Sequence, residues 1–259
     1  MKYIFSFLIF FNFIYSSYST TLVSHKGYYD LNLKGKNAAS FLEGGNGKST
    51  YFFQKTCEGW SHKENFFISY NLTNKKSAKT YSMFKSFEDF SSKNFSFEHL
   101  DKSDLNGEIN YSGFVKKTTN KLLGKLIDRD IKNINYTDKI LLPTEHMLKL
   151  IKFAKENKPF FNSNVFFGSS KDNLVKKISA FIGKKKLSST NLNSRMLNKK
   201  VWPIKLAFYN YKQKKASPET EISLEVDEEG IVHKYNVDYG EYEMSGILEK
   251  IETFKETKC

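Results

Sequence analysis

Gly27-Tyr28-Tyr29-Asp30-Leu31-Asn32-Leu33 puts Tyr29, Leu31 and Leu33 on one side of an extended chain and Tyr28, Asp30 and Asn32 on the other. Successive side chains of a strand point to opposite faces, so this alternation predicts a strand with one face buried and one wet. The same period returns along the chain. Gly44-Gly45-Asn46-Gly47 reads as a turn before a second strand at 49–56, and β-rich runs follow at 65–72, 79–87, 94–99 and 108–117. Their spacing of roughly a dozen residues predicts an antiparallel meander. Near the end, Trp202, Ile204, Leu206 and Phe208 alternate, as do Ile222, Leu224 and Val226, and Asp227-Glu228-Glu229-Gly230 turns the second run back into 231–239. The stretch 244–254 fits either a strand or a short helix, and the lysine clusters at 184–186 and 198–200 read as solvated turns.

One segment departs from period two. After Pro143-Thr144-Glu145, the residues Met147, Leu148, Leu150, Ile151 and Ala154 recur at helical spacing while Lys149, Lys152 and Lys155 point elsewhere. Thr144 is the expected N-cap, Glu145 suits the positive helix start, and Asn157-Lys158-Pro159 is the expected stop. The predicted fold class is therefore all-β and mainly antiparallel, with one main amphipathic helix and no repeat of fixed period.

Residues 1–19 carry a different signal. Lys2 precedes an apolar run from Tyr3 to Ile14, and Ser16, Ser17 and Ser19 follow. A charged start, a short apolar core and a small-residue exit predict a secretory signal peptide cleaved after Ser19. The run falls short of the roughly 20 residues needed to cross a bilayer as a helix. A buried N-terminal helix is the alternative. The expected organisation is a signal peptide at 1–19 and a single periplasmic domain at 20–259, with no transmembrane segment in the mature chain.

Composition narrows the function classes. Hydrophobic residues make up 39% of the chain and aromatics 16%, which excludes general disorder. The formal charge is +13, yet Arg occurs only at Arg129 and Arg195. Nucleic-acid reading relies on guanidinium forks, so an exported, lysine-rich, arginine-poor chain argues against that partner. The lysines serve solubility and edge protection, with contact to anionic envelope components as a second option. Export puts Cys57 and Cys259 in an oxidising compartment, where an even pair reads as a disulfide closing a loop of about 200 residues. Two free thiols are the alternative, and a fraying terminal cysteine outside the cytoplasm would be a liability.

Motifs for catalysis are thin. Gly47-Lys48-Ser49 lacks the glycine five positions earlier that a phosphate loop needs, since Leu42 stands there. His25, His62, His99, His146 and His233 are mutually distant in sequence and form no close metal-binding pair, so they read as structural. No Gly-x-Ser-x-Gly elbow occurs, and no carboxylate pair stands out. Four Asn-x-Ser/Thr sequons, at Asn71, Asn94, Asn110 and Asn135, are expected from an asparagine-rich composition. No cofactor, metal or catalytic residue is expected. The aromatic surplus fills a curved sheet; ordinary core packing is the favoured reading, and an apolar cleft of the kind curved sheets often leave is the alternative.

Three stretches together resemble a known family. Ser24-His25-Lys26-Gly27-Tyr28-Tyr29-Asp30-Leu31-Asn32-Leu33 resembles the opening strand of the EipB-like cell envelope integrity proteins of alphaproteobacteria. Gly47-Lys48-Ser49-Thr50-Tyr51-Phe52-Phe53, followed by Cys57-Glu58-Gly59-Trp60, is similar to that family's second strand and first cysteine, and Leu142-Pro143-Thr144-Glu145-His146 resembles its Pro-Thr-x-His segment. The resemblance implies a periplasmic β-spiral, a broken barrel closed by a Cys57–Cys259 disulfide, that supports envelope integrity with no known reaction. Where family members often show His-Arg, this chain has His25-Lys26. Two functions follow as expectations: a non-enzymatic envelope factor acting through a protein partner or an apolar ligand, and a lipid or lipoprotein carrier whose aromatic cleft is covered by the helix from Glu145. A secreted hydrolase would need a convergent polar cluster, which the sequence does not single out.

Overall fold

The computed structural model describes residues 22–37, 40–190, 192–212, 216–254 and 259. The predicted signal peptide lies outside the described residues. From His25 the chain runs as a meander through β1 (His25–Gly35), β2 (Leu42–Lys55), β3 (Gly59–Leu72), β4 (Ser77–Asp89), β5 (Asn94–Ser103), β6 (Gly107–Lys117), β7 (Leu122–Ile127) and β8 (Ile131–Tyr136). It then passes through β9 (Ile140–Leu141), α1 (Pro143–Lys155), β10 (Phe160–Phe166), β11 (Val175–Ile182) and β12 (Lys186–Leu187). The series ends with β13 (Lys200–Asn210), β14 (Thr220–Val226), β15 (Val232–Asp238) and β16 (Tyr242–Thr253).

β1 is the hinge of this arrangement, because it pairs antiparallel with both β2 and β16. Strands β2 to β8 extend the sheet one way and β16 back to β9 extend it the other. The two ends, β8 and β9, are consecutive in the chain, so the sheet curls until its edges meet in a nearly closed, barrel-like spiral. Side chains seal the seam. Ile134 of β8, Leu122 and Leu126 of β7, and Phe95 and Phe97 of β5 pack with Ile140, Phe166 and Val175 in one buried cluster. The all-β class and the broken barrel expected from the sequence are what the chain adopts.

Three local readings need correction. Gly44-Gly45-Asn46-Gly47 is not a turn; it lies inside β2, which begins at Leu42. Neighbouring backbone approaches closely there: a Cβ on Gly45 would sit 2.5 Å from the Ser69 carbonyl oxygen, and one on Gly47 would sit 2.3 Å from that of Phe67. These glycines admit an adjacent strand rather than reverse the chain. The second correction touches only the edges of the lysine clusters: Lys184, Lys185, Asn198 and Lys199 lie in connections, whereas Lys186 pairs with Val201 and Leu187 with Lys200 as part of β12 and β13. The stretch at 244–254 resolves as strand β16.

The third correction is at the helix start. The N-cap is Leu142 rather than Thr144, with Pro143 in the first turn, where its missing N–H costs nothing. Capping comes from elsewhere in the chain. The buried Glu88 carboxylate on β4 accepts the Thr144 N–H at 2.7 Å and the Glu145 N–H at 3.0 Å, while Ser92 Oγ donates to it at 2.9 Å. Glu145 reaches back to the Leu142 N–H at 3.3 Å and meets Lys149 at 2.9 Å. The apolar face of α1, with Leu150, Ile151 and Ala154, packs into a cluster with Val165, Ile178, Trp202, Ile204 and Val226. Glu88 thus pins the helix to the opposite half of the spiral. Glu88→Ala leaves two N–H groups in a desolvated site and should cost about 2 kcal/mol. Urea unfolding checks this; a loss within about 0.5 kcal/mol, the usual range for surface changes, would show that water replaces the carboxylate without penalty.

Candidate functional site: an interior cavity beneath the helix

The register of β1 to β4 brings a polar group into the interior. Tyr51, Glu64 and Phe84 face one another across β2, β3 and β4, and Phe53, His62 and Ser86 form the next row. All lie on the inward face, where Trp60, Phe66, Ile68 and Tyr70 of β3 also point. His25 contributes from β1, its ring tilted against Tyr51 at 5.6 Å, and the Tyr51 ring lies 4.7 Å from His62. α1 closes the space from above with Pro143, His146, Met147 and Leu150, and Phe167, Leu206, Phe208 and Ile222 complete the apolar wall. The cavity, partly open to solvent, is about 330 Å³. That is near the lower end of ligand-binding cavities, which run roughly from 300 to 1,000 Å³.

Its electrostatics follow from burial. Desolvation penalises the charged forms, so His62 and His146 are each pushed down to about 4, the first also by His25 and the second by Lys149. His25 is lowered for the same first reason. All three imidazoles are neutral near pH 7. His25 Nδ1 lies 2.8 Å from the Val23 carbonyl, which places a proton on that nitrogen and leaves Nε2 as an acceptor. The Nε2 atoms of His25, His62 and His146 have no hydrogen-bond partner among the described residues. Burial also raises the Glu64 carboxyl to about 7, and no donor among the described residues reaches it.

Larger hollows contrast with this one, including one of about 420 Å³ that carries Arg129 and Lys171. Another, of about 830 Å³, carries Lys26, Lys63 and Lys85, and a third, of about 580 Å³, carries Lys139, Lys149 and Lys177. The interior cavity is lined by no Lys or Arg. The histidines that sequence distance separated are therefore collected, three of five, around one space. The missed signal was Glu64 itself, a carboxylate interrupting the apolar inward row of β3.

Cys57 and Cys259 are joined by a disulfide, with Cα atoms 5.5 Å apart and a sequence separation of 202. It ties the loop between β2 and β3 to the last residue. No group of three metal-ligating side chains occurs among the described residues. A polar triad does form elsewhere. Ser188 Oγ lies 2.8 Å from His233 Nδ1, and His233 Nε2 lies 3.1 Å from Asp227. Asp227 also accepts the Glu229 and Ile231 N–H groups, both at 3.0 Å. Its oxygens hold the 227–230 turn, and His233 fastens that turn to the segment after β12.

The fold and cavity can now be set beside known proteins. The cell envelope integrity protein EipB of Brucella abortus (strain 2308) is 26% identical over 240 residues, covering 90% of this chain and 85% of the relative. A crystallised β-barrel-like protein of a domain of unknown function, also from Brucella abortus, is 24% identical with a TM-score of 0.83, covering 92% of this chain and all of that one, and so shares the fold. No helix among the described residues is long and apolar enough to cross a membrane. The family model described as EipB-like matches residues 17–255, nearly the whole length, and the chain belongs to that family.

Proposed function

We propose that this chain is a non-enzymatic periplasmic protein that supports the integrity of the cell envelope. Residues 1–19 direct export and are removed after Ser19, the single domain 20–259 folds outside the cytoplasm, and the Cys57–Cys259 disulfide stabilises it there. The observation that carries the reading is the family match along residues 17–255, together with a relative whose name states an envelope-integrity role. A strain lacking the protein should lose resistance to detergent. The full chain should restore it, whereas a chain beginning at Thr20 behind a start methionine should not. Rescue by that leaderless chain would remove the export reading.

A second reading, a carrier of an apolar ligand, is favoured by the cavity beneath α1. Phe53, Phe84, Phe167 and Phe208 line it, so an acyl chain would meet aromatic and aliphatic surface. At about 330 Å³ the space suits one chain rather than the several chains of a lipoprotein anchor, which would require α1 to move.

A further inference from the structure

We propose that the cavity beneath α1 selects an amphiphile with a cationic head, a primary alkylammonium, and that Glu64 is its counter-ion. This rests on the carrier reading and adds the head-group chemistry to it.

The first support is the charge of the lining. In a chain with 41 Lys and Arg and a formal charge of +13, this cavity presents Glu64 and Glu229 and no basic residue other than neutral histidine. The second is an unmet need. Glu64 is half-buried and faces the cavity with no donor among the described residues, so a cation in that space is the partner that would favour its charged form. An ammonium group supplies charge and three N–H donors, and unpartnered imidazole Nε2 atoms of His25, His62 and His146 lie around the same space. The Tyr51 ring beside Glu64 adds a π face for a cation. An anionic head has less to gain. The positive end of α1 is already occupied by Glu88, which accepts the Thr144 and Glu145 N–H groups. The protein's net positive charge does not override this, because exposed charges are screened beyond about 8 Å at physiological salt.

The pH dependence follows from what faces Glu64. His62 on β3 and His146 on α1 titrate at about 4 and His25 on β1 is lowered, so all three stay neutral between pH 6 and 8. Tyr51, Tyr29, Tyr235 and Tyr239 are all raised, and Lys149 reaches the site only through its field on His146. Glu229, at the far rim, is raised by burial and by Asp227. Glu64, at about 7, is the group that changes charge in this window.

The test is calorimetric titration of the full mature chain with decylammonium, decanoate and 1-decanol, each below its aggregation range. Decylammonium should bind tightest, with affinity rising about tenfold from pH 6 to pH 8 as the acceptor ionises. Glu64→Gln should weaken decylammonium at least tenfold at pH 8, abolish the pH dependence and leave decanol binding unchanged, which also reports an intact cavity. Glu229→Gln should keep the pH dependence. Equal or tighter binding of decanoate, or an unchanged decylammonium affinity in Glu64→Gln, overturns the head-group assignment while decanol binding keeps the carrier reading. Failure of all three probes to bind removes both.

Discussion

Cys57→Ser should lower the stability of the folded chain by about 5 kcal/mol, a large share of the 5–15 kcal/mol that holds a typical domain together. The magnitude comes from the sequence separation of 202, because the entropy removed from the unfolded chain grows with the logarithm of loop length. The figure is an upper value. β16 already holds the C-terminal part of the chain against β1 and β15, and residual order in the unfolded chain shrinks the difference. Cys259→Ser should cost the same, and the double substitution no more than either single one, since all three remove one bond. Urea unfolding of the three variants and of the reduced wild type checks this. Losses below about 1 kcal/mol would mean that β-pairing alone fixes the terminus.

Acidification should destabilise the protein well before ordinary carboxylates protonate, through His62 and His146. Both titrate at about 4 when folded, against 6.5 for an unburied imidazole, so the unfolded chain takes up protons first. Their contribution is present above pH 6.5 and is lost as the pH falls toward 4, by up to roughly 3 kcal/mol for each ring. Glu64 has the opposite sign. Its folded value of about 7 lies above the ordinary 4.5, so its contribution is intact below pH 4.5 and is lost as the pH rises to 7. Two histidines outweigh one carboxyl, which places the steeper loss on the acid side. His146→Gln should therefore retain about 2 kcal/mol more of its stability at pH 5 than the wild type does, each measured against its own value at pH 7. Glu64→Gln should be more stable than the wild type by about 3 kcal/mol at pH 8 and no more stable at pH 4. Unfolding midpoints at pH 4, 5, 7 and 8 decide the matter, and a flat profile would mean that water reaches these groups freely.

Much of the spiral was legible because its strands alternate cleanly. Tyr29, Leu31 and Leu33 of β1 are each buried, and the helix at 143–155 obeys its apolar period. What failed were places where distant parts of the chain set the local choice. The glycines of β2 look like a turn until the Ser69 and Phe67 carbonyls are placed against them. Thr144 looks like a cap until Glu88, 56 residues earlier, takes its N–H. Strands β7 to β11 were not assigned from the sequence; β7, β8 and β9 are only two to six residues long and give a periodic signal little length to accumulate. The cavity was illegible for the same reason. His25, His62, Glu64 and His146 share no spacing, and only the register of four strands and the placement of one helix assemble them. The aromatic surplus read first as core packing, with a cleft beneath the helix only as the second hypothesis; the acidic, lysine-free lining of the cavity was not anticipated.

The most direct test of a ligand-holding envelope protein is to purify the mature chain from periplasm under native conditions and weigh it intact by mass spectrometry. The account predicts a fraction of molecules carrying one amphiphile of a single chain, lost from a variant in which Ser86→Phe fills the cavity while leaving the thermal unfolding midpoint within a few degrees. Molecules of bare mass alone, with detergent resistance fully restored by the filled variant, would contradict it.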